Sequence, residues 1–91
     1  YDLIQADPNK PVKPFKQWNT AHIVSKDGHV THFLNEQKVL EYDRYSEDFK
    51  KLVSESKYDK WPDFGQLEKG QILLQDHGDR VLFKNIKIKE L

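Results

Sequence analysis

The apolar residues fall into short alternating stretches separated by turn formers, with one interruption at helical period. Around Asp27-Gly28, the best short hairpin signal in the chain, positions 18–26 and 29–34 alternate as two strands. A two-residue turn pairs Lys26 with His29, which sets His22 opposite Phe33 and Ile23 opposite His32. One face then carries Trp18, Thr20, His22, Val24, Thr31 and Phe33, a mixture of rings, hydroxyls and imidazole that suits a sugar-binding groove. The other carries Asn19, Ala21, Ile23, Val30, His32 and Leu34, mostly aliphatic, and is expected to be core. Asn35-Glu36-Gln37 turns the chain into a third strand at 38–43. Over 46–57 the pattern changes to Phe49, Leu52, Val53 and Ser56, which is one helix with Ser46 as N-cap and Glu47-Asp48 at the positive end of its dipole. Trp61-Pro62-Asp63-Phe64-Gly65 ends it and leads through a loop to Gly70.

The stretch 70–91, GQILLQDHGDRVLFKNIKIKEL, reads as two more strands. Ile72 and Leu74 alternate with Gln71 and Gln75, Asp76-His77-Gly78-Asp79 forms a polar turn, and Val81 and Phe83 resume the alternation. Gly78 takes positive φ there without a Cβ clash. The apolar phase then flips to Ile86 and Ile88, which predicts an irregularity near Lys84-Asn85 or a strand buried on both faces. At the other end, residues 1–17 hold Pro8, Pro11 and Pro14, which fix φ and remove donors, so they form an extended surface connector ahead of a domain at 18–91.

Composition narrows the function classes. Fifteen basic residues balance fifteen acidic ones, so no global field draws nucleic acid or an anionic membrane. No stretch has the apolar length of a membrane span. Cysteine is absent, which excludes disulfide and thiolate chemistry and leaves the compartment open. The chain is 36% hydrophobic and 33% charged, lean for a free-standing core of 91 residues.

Three groups of residues carry candidate chemistry. In Gln75-Asp76-His77 a carboxylate beside an imidazole is a workable acid–base pair, and the alternative is that Asp76 and Gly78 only build the turn. His32 and His22 are strand histidines that serve either as bases or as packed side chains. Trp18, Phe33 and Trp61 offer ring faces on which pyranose C–H surfaces pack, or else fill core. Asn19 and Asn35 bond sugar hydroxyls or cap turns. No histidines stand at i, i+2 or i, i+4 and no carboxylate cluster resembles a cage, so no metal ligands are assigned and a cofactor stays unknown.

The run LLQDHGDRVLFKNIKI resembles the closing signature of the 3-keto-disaccharide hydrolase family, G-x-I-x-L-Q-D-H-G-x-x-V-x-F-R-N-I-x-I. Gly70, Ile72, Leu74 to Gly78, Val81, Phe83, Asn85, Ile86 and Ile88 match, and Lys84 replaces the usual Arg, keeping the charge without the fork geometry. Trp18-Asn19, Ile23, Val30, His32 and Leu34-Asn35 fit a second pattern, W-N…I…G…V-x-H-x-L-N-G, with Glu36 where the family has the turn glycine, so a tight primed turn is less expected there. The resemblance covers the chain from Trp18 onward.

What the resemblance implies is an all-β fold, the C-terminal half of a concanavalin A-like, laminin G-like jelly-roll sandwich with one short helix. It implies a carbohydrate substrate, the N-terminal half of the same domain or a second copy as partner, and export in bacteria. It further implies cleavage of glycosides oxidised at C3, where the ketone acidifies the adjacent C–H and elimination followed by hydration breaks the bond. That chemistry requires one base and one oxyanion stabiliser, here His77 or His32 with Gln75 or Asn19, assisted by Asp76 and with Trp18, Asn19 and Asn35 holding sugar. Two other readings stand beside it: a non-catalytic carbohydrate-binding module on the same fold, and a half that only completes the sandwich.

Overall fold

Residues 2–91 are described in a computed structural model of the chain. Three antiparallel strands, β1 (Ala21–Lys26), β2 (His29–Leu34) and β3 (Gln37–Asp43), form one sheet in the order β1-β2-β3. Asp27 and Gly28 both have positive φ (51° and 83°), the signature of a primed turn whose twist matches its strands. The register is the expected one: Lys26 faces His29, His22 faces Phe33 and Ile23 faces His32.

Gly28 is required twice over. Its φ lies in the left-handed region, and a Cβ there would fall on the ring of Tyr45. Gly28→Ala is therefore expected to lower stability by about 1–3 kcal/mol, the usual cost of one strained backbone site. A thermal melt reads this directly, and an unchanged midpoint would show that Tyr45 swings aside freely.

The second hairpin is as tight as the first, although Glu36 stands where a glycine was expected. Leu34 pairs with Gln37, and Asn35 and Glu36 both adopt positive φ (48° and 70°). The Asn35 side chain clamps the turn. Its Oδ1 accepts from Thr20 N at 2.8 Å, and its Nδ2 donates to Pro11 O at 2.6 Å and Asn19 Oδ1 at 2.9 Å. These bonds offset the roughly 1–2 kcal/mol that an L-residue costs in the left-handed region. On β3 a bulge follows: His32 faces Leu40 but Phe33 faces Lys38, leaving Val39 extra, and Asp7 N donates to Val39 O at 2.8 Å. The proline-rich lead-in thus docks on the outer edge of β3.

Helix α1 (Glu47–Ser54) starts where expected, with Ser46 Oγ accepting from Phe49 N at 3.2 Å. It ends three residues early. Ser54 Oγ and Ser56 Oγ each donate to a carbonyl three residues back, Lys51 O and Val53 O, both at 2.7 Å. Ser56 then caps the 3-10 turn Lys57–Lys60 instead of extending the apolar stripe of α1.

The core lies between the β2–β3 half of the sheet, α1 and the loop after it. Val30, Phe49 and Tyr58 are its most buried apolar residues. Tyr42 stacks on Phe49 at 5.5 Å and Tyr58 on Phe64 at 4.3 Å. The aliphatic face of the hairpin is therefore core on β2 but not on β1, where Ile23 is 60% exposed.

Residues 70–91 depart from expectation. The strands expected around Ile72–Leu74 and Val81–Ile88 do not form, and the apolar side chains there are exposed. A strand needs a neighbour to receive its N–H and C=O groups, and no described strand pairs with this stretch. The local chemistry holds nonetheless. Gly78 has φ +99°, its N–H donates to Asp76 Oδ1 at 3.0 Å, and Asn85 adopts a left-handed φ of 55° within the unpaired stretch. The regular structure is thus an antiparallel sheet with one short helix and a 3-10 turn, in keeping with the all-β expectation.

Candidate functional site

His32 and Tyr42 come from adjacent strands in diagonal register, since His32 faces Leu40 and Val30 faces Tyr42. Their side chains project from one face into the space under α1. His32 Nε2 lies 3.4 Å from Tyr42 Oη, and the two rings sit 5.7 Å apart at 45°. They share a cavity of about 310 Å³ with Leu3, Ile4, Leu40, Arg44, Phe49, Phe64 and Gly65. It is apolar apart from the imidazole, the phenol and the Arg44 guanidinium. Arg44 is fixed by the loop after α1, donating through Nη1 to Gly65 O at 2.9 Å and Leu67 O at 3.0 Å.

Partial burial displaces the two acidities in opposite directions. It penalises the charged imidazolium, so the pKa of His32 falls below its ordinary value of 6.5. It also penalises a phenolate, so that of Tyr42 rises above 10.0, with Arg44 opposing weakly. At neutral pH the cavity holds a neutral base beside a neutral acid.

The His32 shift also sets a pH dependence of folding. The unfolded chain takes up a proton on this residue around its ordinary value, whereas the folded chain does so only at lower pH. Stability is complete above pH about 6.5 and declines as pH falls through that value toward the folded one. Tyr42 and Arg44 are ionisable groups that line the same cavity, and the positive amino terminus lowers the His32 pKa further. Urea midpoints at pH about 7.5 and 5.5 should therefore differ in the wild type and converge in His32→Gln. Glu41 and Asp2, held low by hydrogen bonds from Lys38 and Tyr58 first of all, act in the separate window below about pH 4.5.

The other candidate residues are placed elsewhere. His77 is exposed in the 76–79 turn, where Asp76 uses its carboxylate on Gly78 N. Gln75 precedes it in the same exposed stretch. Asn19 and Asn35 are brought together at 2.9 Å, and Asn19 Oδ1 also accepts from Lys13 N at 2.8 Å, so both brace the lead-in against the first strand. Trp18 is half exposed, with Lys84 Nζ 4.2 Å from its ring centre. Trp61 carries Lys60 Nζ at 4.5 Å in the same way. On the opposite sheet face from His32, His22 stacks on Phe33 at 5.6 Å.

Tyr42 and Arg44 were not singled out by their sequence. The available signal was their period: Leu40 and Tyr42 continue the face of Val30 and His32 once the bulge at Val39 is allowed for, and a bulge leaves no mark in a run such as Lys-Val-Leu-Glu-Tyr. Among the described residues no three His, Asp or Glu side chains converge as metal ligands, and no helix is long and apolar enough to cross a membrane.

Residues 1–89 match the family of 3-keto-alpha-glucoside-1,2-lyase-like domains. The chain is also similar to a 3-keto-disaccharide hydrolase of Bacteroides thetaiotaomicron, 41% identical over 101 aligned positions. That alignment takes in 100% of the chain and 34% of the relative, so the chain spans about a third of its relative's length. The match runs through the His32 strand, the Asn35 turn and the Gln75-Asp76-His77 segment alike, and the chain belongs to the family of 3-keto-alpha-glucoside-1,2-lyase-like domains.

Proposed function

We propose that this chain is the part of a carbohydrate-cleaving enzyme that supplies the base for splitting 3-keto-disaccharides. The reading is carried by the 41% identity, over the whole chain, to a protein named as a 3-keto-disaccharide hydrolase. The geometry adds a half-buried neutral imidazole in a cavity lined by rings, which suits a base that must remove a carbon-bound proton. In a 3-keto-pyranoside the C2–H is acidified by the ketone. Its removal with departure of the C1 oxygen gives a C1=C2 unsaturated keto-sugar, and addition of water across that bond completes hydrolysis. His32 is the better-housed base and His77 the alternative, with Gln75 or Asn19 the donor to the enolate oxygen. Residues 70–91 then become strands by pairing with a further part of the same jelly-roll sandwich, which would cover their exposed apolar side chains.

The test is turnover by the natural-length polypeptide in deuterated water. A 3-keto-disaccharide should be cleaved with deuterium entering C2 faster than in buffer, while the unoxidised disaccharide is left intact. Cleavage without C2 labelling would replace elimination by direct displacement. Binding of the unoxidised sugar with no turnover of either would leave a carbohydrate-binding module.

A further inference from the structure

We propose that Tyr42 is the general acid of this site and works as a couple with His32, protonating the departing glycosidic oxygen while His32 takes the C2 proton. This rests on the elimination chemistry above and assigns a residue and a role that the base alone does not supply. An alkoxide is a poor leaving group, so C1–O cleavage at neutral pH requires a proton donor. The cavity contains one. Tyr42 Oη lies 3.4 Å from His32 Nε2 and opens on the same space, and its ring is held by stacking on Phe49 at 5.5 Å and 11°.

The steps balance with water as the only co-reactant. His32 begins with its Nε2–H donating to Tyr42 Oη, which leaves Nδ1 free to accept. The C2–H bond breaks, its proton goes to Nδ1 and its electrons form the enolate of the C3 ketone. As the C1–O bond breaks, the enolate electrons re-form the ketone and make the C1=C2 bond, while the departing electrons stay on oxygen, which takes the phenol proton. The Nε2 proton then crosses to the phenolate. Hydration runs the same path backwards: water adds at C1 and gives its proton to Oη, the phenol proton returns to Nε2, and Nδ1 returns its proton to C2. Both groups end as they began. Burial keeps both groups uncharged at neutral pH, so the imidazole is able to accept a proton and the phenol still carries one to give. Arg44, lining the same cavity, favours the transient phenolate.

The test uses the natural-length polypeptide, Tyr42→Phe, and two substrates that differ in their need for an acid: methyl and 4-nitrophenyl 3-keto-glucosides. Tyr42→Phe keeps the ring stack and loses one oxygen. Its kcat on the methyl glycoside should fall about 10²–10⁴-fold, while on the nitrophenyl glycoside it changes by less than about 10-fold, because nitrophenolate leaves unprotonated. Deuterium exchange at C2 should continue at the wild-type rate, showing that the fold and the base are intact. Equal losses on both glycosides, or no loss on either, overturn the couple and leave the elimination reading standing. A wild type inactive on both glycosides removes both proposals together.

Discussion

Phe49→Ala should cost about 3–5 kcal/mol, the range for emptying a buried aromatic position, and should leave little of this chain folded. Phe49 is 6% exposed and joins three parts of the molecule. Its backbone N–H anchors the Ser46 cap, its ring stacks on Tyr42 of β3, and a Cβ on Gly65 would lie only 2.8 Å from its edge. Alanine would remove one wall of the His32 cavity, and neighbours as rigid as an aromatic ring and a turn cannot collapse into the space. Leu52→Ala is the matched comparison. Leu52 lies on the same helix and the same apolar stripe but is 37% exposed, so its truncation should cost no more than about 1 kcal/mol. Urea unfolding of the two variants decides the matter. Equal losses would mean that α1 is held by its whole stripe and not by the one ring.

The difference between Phe49 and Leu52 was not visible in the sequence, and the reason is general for this chain. Local signals were legible: Asp27-Gly28 set the hairpin and its register, Ser46 set the helix start, and Gly78 with Asp76 set its turn. Each depends on residues within a few positions. What covers what was less legible. Val30 and Ile23 fall on one face by alternation, yet one is buried and the other 60% exposed, because α1 reaches only the β2–β3 half. The strands of 70–91 failed for the same reason at larger scale: alternation specifies which side chains share a face, whereas a strand forms only against a partner. The site divides likewise. His32 was identifiable by its fit to the family pattern, but its acid–base environment depends on Tyr42 and Phe49, brought beside it by a bulge and a helix.

His32→Gln and His77→Gln, compared in the natural-length polypeptide, should separate the two candidate bases by the largest effect on turnover that this site offers. Loss of a positioned base costs about 10²–10⁴-fold, and the loss should follow His32. The physical case is asymmetric. His32 sits half-buried beside Tyr42 with its imidazole kept neutral by desolvation. Such a base is free to accept at neutral pH, and water does not compete for its lone pair as it does at the surface. His77 is exposed in a turn where the Asp76 carboxylate accepts from Gly78 N and so serves the backbone. Its neighbouring carboxylate is therefore committed to the turn and not to orienting the ring. The acid limb of kcat/KM gives an independent reading, because it reports the base of the free enzyme. With His32 as base, activity persists below the pH at which an ordinary histidine protonates. The limb should move or vanish in His32→Gln and stay in place in His77→Gln. Full turnover in His32→Gln with collapse in His77→Gln would transfer the role to the turn. The exposed 76–79 segment would then have to be enclosed by another part of the sandwich before it could exclude water from the reacting carbon.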